Sequence, residues 1–271
     1  MSVLHHQFAS PLLAWHALHG RHDLPWQNPK TPYHVWISEV MLQQTQVKTV
    51  IPYFTQFIQQ FPDVRSLANA TEDDVLALWS GLGYYSRGRN LYKAAQIICD
   101  THHGNIPDSI ESLISLPGIG ESTAAAIASL AYNKRTAILD GNVKRVLSRY
   151  FLIADCLDLP KIKQLLWAVA DECMPPYHCS DYTQAIMDLG ATCCLAKNPT
   201  CTLCPVHTTC QAFLNKQTAE IPKKKAKKKK PSLAQDFLLI HHNNHIFLEK
   251  RPSSGIWGGL WCLPSIEPQQ C

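Results

Sequence analysis

Apolar positions recur at helical spacing over most of the chain. Between residues 8 and 19, Phe8, Leu12, Leu13, Trp15, His16 and His19 follow a three-to-four-residue rhythm that predicts an amphipathic helix. Pro25, Pro29 and Pro32 punctuate the loop that follows. Residues 34–60 are periodic again through Val35, Ile37, Val40, Met41, Val47, Val50, Phe54, Phe57 and Ile58. Gln43-Gln44-Thr45-Gln46 interrupts that stripe, so a helix end or bend belongs there. Further helices are predicted near 64–69, 71–79, 87–101, 108–115, 121–132, 142–152, 160–173 and 181–190. Turn chemistry bounds them: Pro62-Asp63, Gly81-Leu82-Gly83, Gly104-Asn105 before Pro107, and Thr71 with Asp74 as an acidic capping box. Almost nothing before residue 232 alternates like a strand, so the first 220 residues are predicted to be mainly helical.

The pattern changes after Pro222. Seven lysines, Lys223–Lys225 and Lys227–Lys230, run up to Pro231. Like charges in series repel and bury no apolar surface, so residues 223–231 are expected to form a disordered linker. Beyond it, Phe237–Ile240 and His245–Leu248 flank His241–Asn244 and predict a β-hairpin. The expected organisation is a helical domain over 1–222, the linker, and a small β-rich segment over 232–271.

Composition narrows the class. Of the 271 residues, 46% are hydrophobic, which fits a globular chain with a real core. No apolar run approaches the roughly 20 residues that span a bilayer. Met1–Ser10 lacks the basic start and apolar stretch of a secretory signal. A soluble intracellular protein, cytoplasmic and with no membrane partner, is expected. Net charge is +4, but without the seven linker lysines it is −3, from 18 basic and 21 acidic residues. Any contact with a polyanion in the helical part must therefore come from local patches and backbone amides.

There are 11 cysteines, and in an intracellular protein metal ligation is the better first reading of a cluster among them. Cys194, Cys201, Cys204 and Cys210 lie close together, with gaps of six, two and five residues. Four thiolates suit either zinc or an iron–sulfur cluster. Only one gap is short, which favours a larger object wrapped by a loop. Cys193 adjoins Cys194, and spacing alone does not choose between the two.

Leu116-Pro117-Gly118-Ile119-Gly120 lies between two helical patterns. Gly118 and Gly120 permit φ > 0 and close backbone approach, and the amides opening the next helix form an anion site. This resembles a helix-hairpin-helix element, which reads phosphate and not sequence. Two carboxylates stand out. Glu39 interrupts the apolar run from Val35 to Leu42, where burial would raise its pKa. Asp140, before Gly141, fits an N-cap. Glycosidic cleavage needs such a pair: an acid for the leaving group and a carboxylate to steady the sugar cation.

Taken together, Trp36–Val47, Gly81–Arg87, Leu116–Thr123, Leu139–Val146, Met187–Gly190 and the cysteine spacing resemble the MutY-type adenine DNA glycosylases of the endonuclease III superfamily. The matches run in order over about 8–222 and again over about 236–264. The resemblance implies a mainly α fold: a six-helix barrel at about 30–135, and a 4Fe-4S module built from about 1–29 and 136–222. It implies duplex DNA carrying an adenine mispair as partner, a monomeric chain, and an adenine flipped into a pocket. Glu39 is implied to protonate adenine N7, Asp140 to stabilise the sugar cation, and Asn142 to assist near the sugar. Gln43, Gln44, Thr45 and Tyr84 are implied to meet the duplex. Gly118, Gly120, Ser122, Arg87, Arg89, Lys144 and Arg145 are candidate contacts to its backbone. Cys194, Cys201, Cys204 and Cys210 are the implied cluster ligands, with Cys193 a bystander. Ser122 occupies the place of the Schiff-base lysine of lyase relatives, which implies a monofunctional enzyme.

The family normally carries a full Nudix-like domain that checks for 8-oxoguanine, whereas this chain ends at Cys271. An incomplete sheet with exposed edges, and weakened discrimination, are the corresponding expectations. Rival readings are an endonuclease III-like or thymine-mismatch glycosylase, a zinc protein, and a helix-hairpin-helix DNA-binding protein without catalysis.

Overall fold

A computed structural model describes residues 5–223, 232, 234–252 and 255–266. Twelve α-helices are found among them: α1 Ser10–His19, α2 Pro32–Leu42, α3 Val47–Gln60, α4 Val64–Ala68, α5 Glu72–Leu78, α6 Ser86–His102, α7 Ile110–Ile114, α8 Glu121–Tyr132, α9 Gly141–Tyr150, α10 Pro160–Cys173, α11 Cys179–Asp188 and α12 Gln211–Leu214. The chain divides into two compact units, Met1–Gly83 with Arg87–Lys225, and Tyr84–Ser86 with Ala226–Cys271.

The helical unit is organised around α8. Its sequence is rich in alanine, the strongest helix former, and Ala124, Ala125, Ala126 and Ala128 are all buried. Small side chains let α2, α7 and α11 pack against it closely. Larger side chains fill the remaining space, with Trp36, Trp79, Phe8 and Phe57 the bulkiest that are fully buried. The helix starts follow the expected chemistry. Thr31 caps α2 by accepting from His34 N at 3.1 Å, with Pro32 in the first turn. Thr71 and Asp74 form the anticipated reciprocal box at 3.1 and 3.0 Å. The continuous pattern over 34–60 resolves into α2 and α3, separated by the polar stretch Gln43–Gln46.

The lysine run from Lys224 lies outside the described residues, and the strands of the second unit begin after it. Its strands form three antiparallel pairs: β1 Asp236–Phe237 with β6 Ser265–Ile266, β2 His241–His242 with β3 His245–Ile246, and β4 Glu249–Lys250 with β5 Trp261–Cys262. The anticipated hairpin exists but is displaced. Its pairing is His241↔Ile246 and His242↔His245, and the turn is the two-residue Asn243-Asn244, both at positive φ. A two-residue turn of that kind matches strand twist and favours asparagine, which draws the histidines into the strands. Phe237, Leu238, Leu239 and Ile240 remain exposed.

Candidate active site

The polar break after α2 is held by one buried cation. Arg87, on the first turn of α6, is 7% exposed. Its Nη1 donates to the carbonyls of Val40, Met41 and Gln43 at 3.0, 2.7 and 2.6 Å. Its Nη2 donates to Thr45 Oγ1 at 3.1 Å and Gly83 O at 3.2 Å, and the guanidinium lies 5.5 Å from the Trp79 ring centre. These bonds satisfy the open carbonyls at the end of α2. They also hold Gln44 at φ +58, a conformation that costs a non-glycine residue about 1 kcal/mol or more. Arg87 is thus buried, where sequence reading expected surface charge, and its Nη1 and Nη2 bind the carbonyls and the Thr45 hydroxyl beneath the Gln43–Gln46 turn.

The carboxylates come from two such junctions. Glu39 is on the last turns of α2, among buried Val35, Ile37, Ser38, Val40 and Met41. Burial, and secondarily the charge of Asp140, push its carboxyl up to about 8. Asp140 caps α9: its Oδ1 accepts from Val143 N at 2.7 Å, and Asn142 Nδ2 lies 3.4 Å from Oδ2. Burial raises Asp140 too, opposed by the Val143 and Asn142 amides and by the Arg145 charge. Asp140 thus has donors that stabilise its anion, whereas Glu39 is governed by burial. With its carboxyl near 8, Glu39 holds a proton at neutral pH.

Both carboxylates open on one cleft of about 850 Å³, lined also by Gln43, Gln44, Thr45, Ser122, Asn142 and Arg145. Ser122 Oγ accepts from Leu139 N at 3.0 Å and so ties the start of α8 to the segment carrying Asp140. Gln43 Nε2 donates to Thr123 Oγ1 at 3.3 Å and to Gly118 O at 3.4 Å. Gly118 has φ +81, and a Cβ there would meet the Asn90 Cβ at 2.9 Å. Gly120 departs from expectation: its φ is −93, and it is the N-cap of α8 with open space where a side chain would stand. Its glycine leaves the first-turn amides of α8 uncovered. Tyr84 is 57% exposed with φ +50, and Lys144 lies within the first turns of α9.

Sequence reading missed two supports of this cleft. Asp188, fully buried at the end of α11, accepts from Arg21 N, Nε and Nη2 at 2.7, 2.8 and 2.6 Å and from Gln184 Nε2 at 2.8 Å. Burial alone would raise its pKa, but bonds from His16 and Arg21 hold it below the usual carboxylate range. Arg21 and Gln184 also line the cleft. Gly190 packs directly on the opening of α9, where a Cβ would lie 2.6 Å from Asn142 Cβ.

The four clustered cysteines stand around one small cavity beside α9, together with Cys193, Arg149 and Tyr150. Arg149 is 2% exposed and donates to Ile221 O, Leu195 O and, at 3.4 Å, Cys194 Sγ. Arg145 bridges this region to the cleft, with Nε on Cys194 O at 2.8 Å and Nη2 on Asn142 Oδ1 at 2.9 Å. Among the described residues no three His, Cys, Asp or Glu side chains converge tightly enough to hold a single metal ion.

Comparison with known proteins places this architecture. Residues 37–171 match the model of the HhH-GPD superfamily base excision DNA repair proteins, and 236–270 match a NUDIX domain. The chain is 48% identical over 260 residues to the adenine DNA glycosylase of Buchnera aphidicola subsp. Baizongia pistaciae, covering 96% of this chain and 74% of that one. The chain belongs to the adenine DNA glycosylase family. Its mainly helical fold is that of the family, and its C-terminal strands match part of a Nudix-like domain. The solved structure of a thermostable thymine-DNA glycosylase superposes with a TM-score of 0.71 at 25% identity, over 78% of this chain and 97% of that one. A non-covalent endonuclease III–DNA complex gives 0.64 at 20% identity, over 75% and 92%, and shares the fold. A base excision DNA glycosylase is an N-glycosidic hydrolase acting on DNA, so the purely structural DNA-binding reading falls away. Among the described residues no helix is long and apolar enough to cross a membrane.

Proposed function

We propose that this adenine DNA glycosylase family member removes adenine mispaired with 8-oxoguanine or guanine, as a monofunctional and monomeric repair enzyme of the cytoplasm. The observation that carries the reading is the pairing of a desolvated Glu39 with an N-capping Asp140 on one cleft. Near neutral pH Glu39 holds its proton and delivers it to N7 of an extruded adenine, which lets the base leave neutral. Asp140, its anion supported by the Val143 amide, faces the developing oxocarbenium ion, with Asn142 beside it. Water then captures the sugar, and the Glu39 carboxylate takes its proton. Gln43, Gln44, Thr45 and Tyr84 meet the duplex, and the uncovered amides after Gly118 and Gly120, with Lys144, receive phosphate. Ser122 has no amine for an imine, and its Oγ accepts from Leu139 N.

We assign a 4Fe-4S cluster to Cys194, Cys201, Cys204 and Cys210. Four soft thiols ring one cavity, and the buried Arg149 there meets carbonyls and a thiol instead of a carboxylate. These residues would hold an anionic thiolate cluster, which would give Arg149 a counter-charge and tie the 194–210 loop to α9. Base release from duplexes with adenine opposite 8-oxoguanine, adenine opposite guanine, thymine opposite guanine, and an oxidised pyrimidine tests the substrate. Adenine release alone is expected, without strand nicking or borohydride trapping. Release of thymine in preference, or efficient trapping, would overturn the proposal.

A further inference from the structure

A fifth thiol shares the cysteine cavity and has no assigned role. Cys193 closes the turn after α11, is 5% exposed, and lines the same cavity as Cys194, Cys201, Cys204 and Cys210. By spacing it reads as a neighbour of Cys194. In space its thiol lies close to that of Cys204 across the cavity that both line. Its sulfur also meets Thr200, at 3.4 Å to the carbonyl and 3.5 Å to Oγ1. The Cys193 carbonyl accepts from Leu195 N and Thr200 N at 2.9 and 3.1 Å, which anchors its backbone beside the loop that carries the ligands.

A buried hydrophobic side chain would fill this position with less polar demand, and a thiol has value there chiefly through its sulfur. Thiolate ligation needs a soft donor on a fixed backbone within side-chain reach of the metal site. Cys193 meets both conditions on the side held by Cys204. We propose that Cys193 is a reserve ligand that takes the place of Cys204 when that cysteine is lost or released, so that the site retains its iron. The exchange is one thiolate for another: Cys193 gives up a proton and bonds iron, and Cys204 leaves iron and takes a proton. No electron is transferred.

The inference rests on the cluster assignment, and the experiment separates the two. The full chain is purified as the parent, Cys204→Ala, Cys193→Val, and the double variant. Valine fills the space of the thiol without a donor atom. Iron and acid-labile sulfide per chain and visible charge-transfer absorbance are measured. A parent without iron and sulfide would overturn both the assignment and the inference. With a loaded parent, Cys204→Ala is expected to keep most of its iron and the double variant to hold roughly tenfold less. Equal loss in Cys204→Ala and the double variant would overturn the inference. Should Cys204→Ala not fold, loss of iron to a chelator from Cys193→Val and parent decides: several-fold faster loss from Cys193→Val is expected, and equal rates would overturn it.

Discussion

Replacing Glu39 by glutamine should abolish base release and stabilise the fold, and the stabilisation should grow with pH. The carboxyl is raised from 4.5 to about 8 by burial. A group raised on folding favours the native state fully below its unfolded value and loses that contribution as pH climbs through the folded value. At about 1.4 kcal/mol per pH unit between the two values, the ionised side chain costs the native state on the order of 5 kcal/mol above pH 8, and roughly 2 kcal/mol at pH 6. The difference between pH 6 and 9 is about 3 kcal/mol, an upper bound because the cleft admits water. Glutamine keeps the shape and never ionises. At about 2–4 °C per kcal/mol for a chain of this size, the melting temperature of Glu39→Gln should exceed that of the parent by several degrees more at pH 9 than at pH 6. Thermal denaturation of both proteins across that range measures it. A gain that is absent, or constant with pH, would refute the claim that burial holds a proton on this residue.

Three further outcomes follow from the supports of the cleft. Arg21→Met strips Asp188 of its guanidinium and should cost about 3–5 kcal/mol near neutral pH by denaturant unfolding. Because Asp188 is depressed on folding, that cost should shrink as pH falls toward 3, and a pH-independent loss would contradict the pairing. Gly190→Ala drives a methyl into Asn142 and should cost about 1–3 kcal/mol of stability while slowing base release, whereas an unchanged rate would show that the opening of α9 tolerates displacement. Arg87→Met should slow single-turnover base release by roughly tenfold or more while leaving the salt dependence of DNA binding unchanged. A salt slope reduced by about one would restore the phosphate-contact reading.

The helical frame was legible because its signals are local. The amides of Gln43–Gln46 interrupt an apolar stripe, and the chain breaks there between α2 and α3. Asp140 before Gly141 read as an N-cap and is one. An arginine after a glycine-rich turn looks like surface charge, and the burial of Arg87 follows from the carbonyls that end α2, which no local signal announces. Both hairpin glycines permit positive φ, but only Gly118 uses it, and Gly120 serves as the N-cap of α8. The hairpin shifted because Asn243-Asn244 sets a two-residue turn that outweighs the apolar runs on either side. Arg21 and Asp188 stand 167 positions apart, and no periodicity links them. The contact of Cys193 with Cys204 was likewise hidden, since adjacency in sequence pointed to Cys194 instead.

The pH dependence of single-turnover adenine release from a duplex with 8-oxoguanine opposite tests the account most directly. The parent rate should fall as pH rises through about 8, where Glu39 loses its proton, and Glu39→Gln should release no base at any pH. A rate that holds level past pH 9, or a glutamine variant that still releases adenine, would contradict it.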